Sequence, residues 1–160
     1  MLSSWTETGP PKCSRCAMGM AILRQIEVQL IKVSFNRVFA QKAALAEKFY
    51  HHLFLELPDA EVMFTRDFSH QTEMFARVLT TGMQSLGRDR EMMVLVDDLL
   101  QRHKHLGLTL DQMYTAQRAL HLAFCEVMQA ELTAAEVSAW DNAIGRLCRA
   151  LAAGIEPPAA

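Results

Sequence analysis

From about residue 25 to residue 154, apolar residues recur every three or four positions and strand-like alternation is absent, so the chain reads as helices. A first helix is expected over 25–41, with Leu30, Ile31, Phe35, Val38 and Phe39 inward. A second, over 43–57, carries Leu45, Phe49, Tyr50, Leu53 and Phe54. Pro58 stops it and opens a short helical turn that reaches Phe64. Beyond a loop over 65–69, a helix over 69–86 presents Phe75, Val78, Leu79 and Met83, and Gly87 ends it. The next helix, over 90–106, has the stripe Met92, Val96, Leu99 and His103, with Gly107 four residues after the histidine. Thr109 caps a long helix whose inward side holds Met113, Ala116, Leu120, Ala123, Phe124 and Val127. Thr133, two alanines and Glu136 form a capping box that opens the last helix, with Val137, Trp140, Ile144, Leu147 and Leu151 inward. Such a set of helices implies an all-α domain with a shared core.

The punctuation divides the chain into a tail over 1–24, one helical domain over 25–155 and a C-terminal tail over 156–160. The first tail holds Ser, Thr, Gly-Pro-Pro and a Met-rich patch, and Met18 or Met20 could serve as the start. A length of 160 residues suits one domain, and 51% hydrophobic with 21% charged residues favours folding over disorder. A net charge of −2 without a basic run argues against a nucleic-acid partner. No apolar run reaches the roughly 18–20 residues of a membrane-spanning helix. Residues 17–23 follow Lys12 and Arg15 like a short signal sequence but lack its cleavage pattern, so a cytoplasmic location is expected. Cys13 and Cys16 make a lone CxxC, which lacks the second ligand pair of a zinc site. Cys125 and Cys148 lie in apolar helical stretches and read as small core residues.

His103 carries the candidate chemistry. An imidazole on an apolar helix face is either a core histidine with its ring nitrogens satisfied or a metal ligand, and iron in a porphyrin is one of the few partners suited to such a place. An iron porphyrin needs an axial nitrogen, an apolar and partly aromatic cavity, and a few polar groups on the opposite face. His105 lies about 200° around the helix from His103 and is expected in solvent.

Five pieces, in order, resemble one family. Residues Leu30 to Val38 are similar to an opening globin helix. Phe49-Tyr50, Leu53-Phe54, Leu57-Pro58-Asp59 and Met63-Phe64 follow a globin pattern at its usual spacing. Gln71 to Ala76 resemble the distal helix, His103 with Gly107 and Leu108 the proximal motif, and Glu136 to Trp140 the final helix. The chain thus resembles the globins over about residues 26–152, and among them bacterial single-domain haemoglobins and the haem domain of flavohaemoglobins. The resemblance implies a globin fold, a helical sandwich enclosing a pocket for haem b (iron protoporphyrin IX). His103 would be the proximal iron ligand and Phe64 would stack on the porphyrin. Tyr50 and Gln71 would form the distal polar pair, with Phe75 beside the gas and Leu99 and Leu108 lining the proximal side. The distal register is open between His70 and Gln71. Gln71 is preferred because Phe75 then faces the pocket and Ala76 and Gly82 fall at close helix crossings. Arg66, Arg102 and Lys104 could pair with haem propionates or simply form a solvated face.

The implied function is reversible binding of oxygen, or of nitric oxide or carbon monoxide, at a histidine-ligated iron. One alternative is a nitric oxide dioxygenase served by a separate reductase. Flavohaemoglobins back the proximal histidine with a tyrosine and a glutamate. Here Met113 takes the tyrosine position, Tyr114 points about 100° away, and the glutamate region reads Ala152, Ala153, Gly154 and Ile155. A backbone carbonyl is therefore expected to receive the His103 proton. A gas or redox sensor and a haem-free interaction module are the remaining alternatives.

Overall fold

The computed structural model describes residues 14–64 and 68–155, all of whose regular elements are helices. In chain order they are α1 (Ser14–Ala40), α2 (Lys42–Glu56), a 3-10 helix (Pro58–Met63), α3 (Phe68–Gln84), α4 (Asp89–His103), a second 3-10 turn (Lys104–Leu106), α5 (Leu110–Met128) and α6 (Ala134–Ile155). α1 starts at Ser14 rather than near residue 25. No proline or turn-forming cluster interrupts 14–24, and a single Gly19 costs a helix only about 1 kcal/mol. The segment read as a tail therefore includes three turns of helix with Met18, Ile22 and Leu23 exposed. Residues 1–13, with Cys13, and the Cys16 side chain lie outside the described residues, as do 156–160.

The helix ends follow local chemistry. Thr109 and Gln112 form a reciprocal capping box at the start of α5. Thr133 and Glu136 do the same for α6: the Thr133 N–H donates to Glu136 Oε2 at 2.9 Å and the Glu136 N–H to Thr133 Oγ1 at 3.2 Å. Gly87 and Gly107 adopt φ of 76° and 59°, a left-handed geometry that costs a residue with a Cβ about 1–2 kcal/mol. Each glycine therefore ends one stretch of helix and re-aims the next.

α1, α2, α5 and α6 enclose the core. Its members include Ile31, Val38, Leu45, Phe124, Met128 and Trp140, with Phe124 and Trp140 rings 5.8 Å apart. One polar residue lies among them. Ser34 is fully buried, its Oγ donating to the Leu30 carbonyl at 2.6 Å and accepting from Trp140 Nε1 at 2.8 Å. That hydroxyl satisfies both the indole and itself, and it ties α1 to α6. Arg37 adds a second tie, donating to Glu136 at 2.5 Å and to the Glu131 carbonyl at 2.7 Å. Cys148 is buried as expected, whereas Cys125 is only half-buried and is not a core residue.

α3 and α4 sit to one side of this core. α3 has no fully buried residue; Phe75, Val78, Leu79 and Met83 are half-buried. α4 buries Leu95, Val96 and Leu99 and rests on α6. The contact with α6 is close: a Cβ at Gly154 would collide with the Leu100 side chain. Gly154 thereby lets the end of α6 approach the helix that carries His103.

Trp140→Phe removes the indole donor and leaves Ser34 Oγ with an unused buried acceptor. It is expected to lower unfolding free energy by about 1–3 kcal/mol in urea titrations. The carboxyl of Glu136 is held below its ordinary value of 4.5 by Arg37 and then by the Thr133 backbone N–H. Its contribution to stability is present above pH 4.5 and is lost as pH falls through the folded-state value. Wild type should therefore exceed Glu136→Gln by a constant margin at neutral pH and converge with it in acid.

Candidate functional site

α2, the Pro58–Met63 3-10 helix and α3 bring together an aromatic cluster. Tyr50 lies on α2 with its ring 5.0 Å from Phe49, 5.8 Å from Phe54 and 5.0 Å from Phe64. Phe54 and Phe64 rings are 5.4 Å apart, and Phe49 meets Phe75 of α3 at 6.2 Å. Pro58 makes this possible by ending α2 and turning the chain so that Phe64 returns beside Tyr50. All five rings are half-buried.

Within that apolar wall, the Tyr50 hydroxyl donates to Gln71 Oε1 at 3.0 Å. The two residues are 21 positions apart and reach each other from α2 and α3. The bond uses the amide carbonyl, which leaves the two N–H donors of Gln71 for another partner. Burial pushes the Tyr50 phenol up to about 12, so it is neutral and able to donate at physiological pH. His70, the other distal candidate, is half-buried on the preceding position.

Between α3 and α4 lies a cavity of about 490 Å³. Met74, Val78, Leu95 and Leu99 supply apolar wall, and Arg77 and Arg102 stand among its charged members. Leu99 is buried and Leu108 half-buried. Arg102 Nε pairs with Asp98 on its own helix at 2.7 Å, Lys104 is exposed, and Arg66 lies outside the described residues.

His103 is the last residue of α4. It is exposed, which corrects the expectation of an enclosed imidazole. The enclosed part of the stripe ends at Leu99; one turn later α4 tightens into the Lys104–Leu106 turn and the ring projects beyond the packed surface. The ring is nevertheless oriented. His103 Nδ1 is 2.7 Å from the Leu99 carbonyl, which can only accept, so Nδ1 carries a proton and Nε2 is the ring nitrogen left for another partner. The acceptor is a backbone carbonyl, as expected. Tyr114 lies elsewhere, 46% exposed and lining a cavity between α5 and α6. His105 is exposed, also as expected.

These residues suit a porphyrin better than a bare ion. Among the described residues no group of three His, Cys, Asp or Glu is placed to hold a metal. One oriented imidazole is what a haem iron would take from the protein, and His103 could supply it. The aromatic cluster on α2 and α3 supplies one apolar wall for a planar group, whereas the α3–α4 cavity is lined by Leu99 but by none of Tyr50, Phe64, Gln71, Phe75, His103 or Leu108. Two features lay beyond sequence reasoning: the buried Ser34, and a contact between His121 and Cys125. The i, i+4 spacing of the latter pair was the available signal.

No curated protein matches the chain. The globin family model matches residues 33–151, from within α1 to the last turns of α6, about three-quarters of the 160 residues. Family membership implies haem binding and diatomic gas ligands, and among the described residues no helix is long and apolar enough to cross a membrane. On that match, with the all-helical fold that carries it, the chain belongs to the globin family.

Proposed function

We propose that this globin reversibly takes up a diatomic gas, oxygen foremost, in the manner of the bacterial single-domain haemoglobins. The observation that carries the reading is the Tyr50–Gln71 hydrogen bond of 3.0 Å inside the aromatic cluster. His103 would hold haem b through Nε2. Phe64 and Phe75 would contact the ring and gas from the α2–α3 side, and Leu99 and Leu108 from the His103 side. When bound, the haem supplies an iron able to take oxygen, nitric oxide or carbon monoxide.

The rest is work for this chain's own groups. The Leu99 carbonyl keeps the His103 proton on Nδ1 and fixes the ring about its axis. Leu95, Val96 and Leu99 anchor α4 behind it. The aromatic wall excludes water. With the Gln71 amide turned so that one N–H donates to the Tyr50 oxygen, the Tyr50 O–H and the other Gln71 N–H would be free to donate to a gas that gains negative charge, which lengthens its stay. A neutral carbonyl behind His103 gives it less electron-donating character than a carboxylate would, so oxygen storage, delivery or scavenging ranks above nitric oxide dioxygenation. A globin domain over 25–155 working in the cytoplasm completes the proposal.

Visible spectra test the cofactor: wild type supplied with haem should show a Soret band, and His103→Ala should lose it or shift it strongly. A wild type without such a band would end the haem reading. Tyr50→Phe should release oxygen roughly 10–100-fold faster, on about 1.5–3 kcal/mol for a charge-assisted hydrogen bond. Equal rates would remove Tyr50 from the gas site. Because the phenol ionises only near 12, that ratio should stay flat up to about pH 10. Above this the unfolded tyrosine ionises first, so the Tyr50 contribution to stability falls as pH rises from about 10 towards 12. The difference in phenolate absorbance between wild type and Tyr50→Phe should accordingly titrate near 12.

A further inference from the structure

A second cluster of reactive groups lies on the α5–α6 side of the molecule. His121 Nδ1 is 2.5 Å from Asp141 Oδ1, and His121 Nε2 is 3.8 Å from Cys125 Sγ. The histidine thus bridges a carboxylate on α6 and a thiol one turn further along α5. Beside it a cavity of about 570 Å³ is lined by Tyr114, Arg118, His121, Leu122, Asp141 and Arg149, among others. The site is open: the His121 and Asp141 side chains are 49% and 47% exposed. The haem-site residues use none of these groups.

Cys125 lies outside that lining, one helical turn from His121. We propose that Cys125, His121 and Asp141 form a thiol-exchange site whose substrate is a small, carboxylate-bearing disulfide that rests its carboxylate in the α5–α6 cavity and its S–S bond beside His121, within reach of Cys125. Asp141 accepts the Nδ1 proton of His121, which leaves Nε2 as the base facing the thiol. Burial, and then the Asp141 carboxylate, push the Cys125 thiol above its ordinary value, so the resting group is S–H and needs that base. In the exchange, His121 Nε2 takes the Cys125 proton and the sulfur attacks one sulfur of the disulfide. The old S–S bond breaks, a new one forms to Cys125, and the departing thiolate recovers the proton from His121. One disulfide is consumed and one is formed, with no net oxidation. Arg149 from α6 and Arg118 from α5 give the cavity its preference for carboxylates. Arg118 also pairs with Glu56 of α2 at 2.6 Å, so Arg149 carries the larger share.

The proposal is independent of the haem reading, and its test reads thiols alone. Full-length protein is mixed with the aromatic dicarboxylate disulfide 5,5′-dithiobis(2-nitrobenzoate), and each cysteine is followed by peptide mass analysis. Cys125 in wild type is expected to react roughly tenfold or more faster than Cys125 in His121→Gln, with Asp141→Asn between them. Cys13 and Cys16 should react alike in all three. Arg149→Gln should slow this probe but not cystamine, a cationic disulfide. Cys148 is buried and reports folding: if it stays protected, the variant is folded. Equal Cys125 rates in folded wild type and His121→Gln would overturn the exchange site. Equal discrimination between the two disulfides in wild type and Arg149→Gln would overturn the carboxylate preference. Should His121→Gln expose Cys148, Asp141→Asn decides alone, and a rate equal to wild type counts against the site.

Discussion

A neutral imidazole has one N–H, and where it sits decides what the ring can do. In this chain the Leu99 carbonyl, 2.7 Å from His103 Nδ1, settles the matter. The bond runs back along α4 from residue 103 to residue 99, so it needs no second element and holds while the helix is intact. Other requirements of a ligand role follow from it. α4 must be anchored, which Leu95, Val96 and Leu99 accomplish from one side. Its end must not slide, and the close approach of Leu100 to Gly154 sets its height on α6. Then the helix must stop soon after His103, which the left-handed Gly107 brings about.

This arrangement divides the labour between two halves of the molecule. α1, α2, α5 and α6 bury most of the apolar surface, and Trp140–Ser34 and Arg37–Glu136 tie α1 to α6. Because those helices carry the stability, α3 and α4 are free to expose apolar side chains towards the space between them. A helix with no fully buried residue, such as α3, would be a weak element in a simple bundle. Here it is joined to α2 by aromatic contact and by the Tyr50–Gln71 bond. The bond that would serve the gas also helps to hold the helix that bears half of it.

Much of the scaffold was legible because its signals are local. Pro58, Gly87, Gly107 and the capping residues Thr109 and Thr133 act within a turn of where they stand, and the helices end or begin there. The carbonyl partner of His103 was legible for the same reason: no side-chain acceptor occupied the expected places, and the backbone four residues back was at hand. Tyr50 with Gln71 was legible only through a family pattern, since periodicity does not reveal that residues 21 apart will touch. The exposure of His103 was misjudged because a stripe on a helical wheel takes no account of where the neighbouring helices stop. Ser34 was missed because a serine at an inward position carries no hydrophobic signal; what buries it is the indole of Trp140, 106 residues away. Cys125 reads as a core residue from its apolar neighbours, although α5 leaves it half-buried beside His121.

The two chemistries argued for this chain differ in how they use burial. Around Tyr50 it raises the phenol to about 12, so a donor already neutral at physiological pH stays neutral well into alkali. At Cys125 the same effect works against reactivity, by making the thiolate costly. A thiol in that setting gains a nucleophilic role only with a base within reach, and the Asp141–His121 pair places one 3.8 Å away. An inert core cysteine has no use for an oriented imidazole. The pairing with Asp141, which spans two helices and does nothing to close the core, is therefore what separates a reactive site from a chance neighbour.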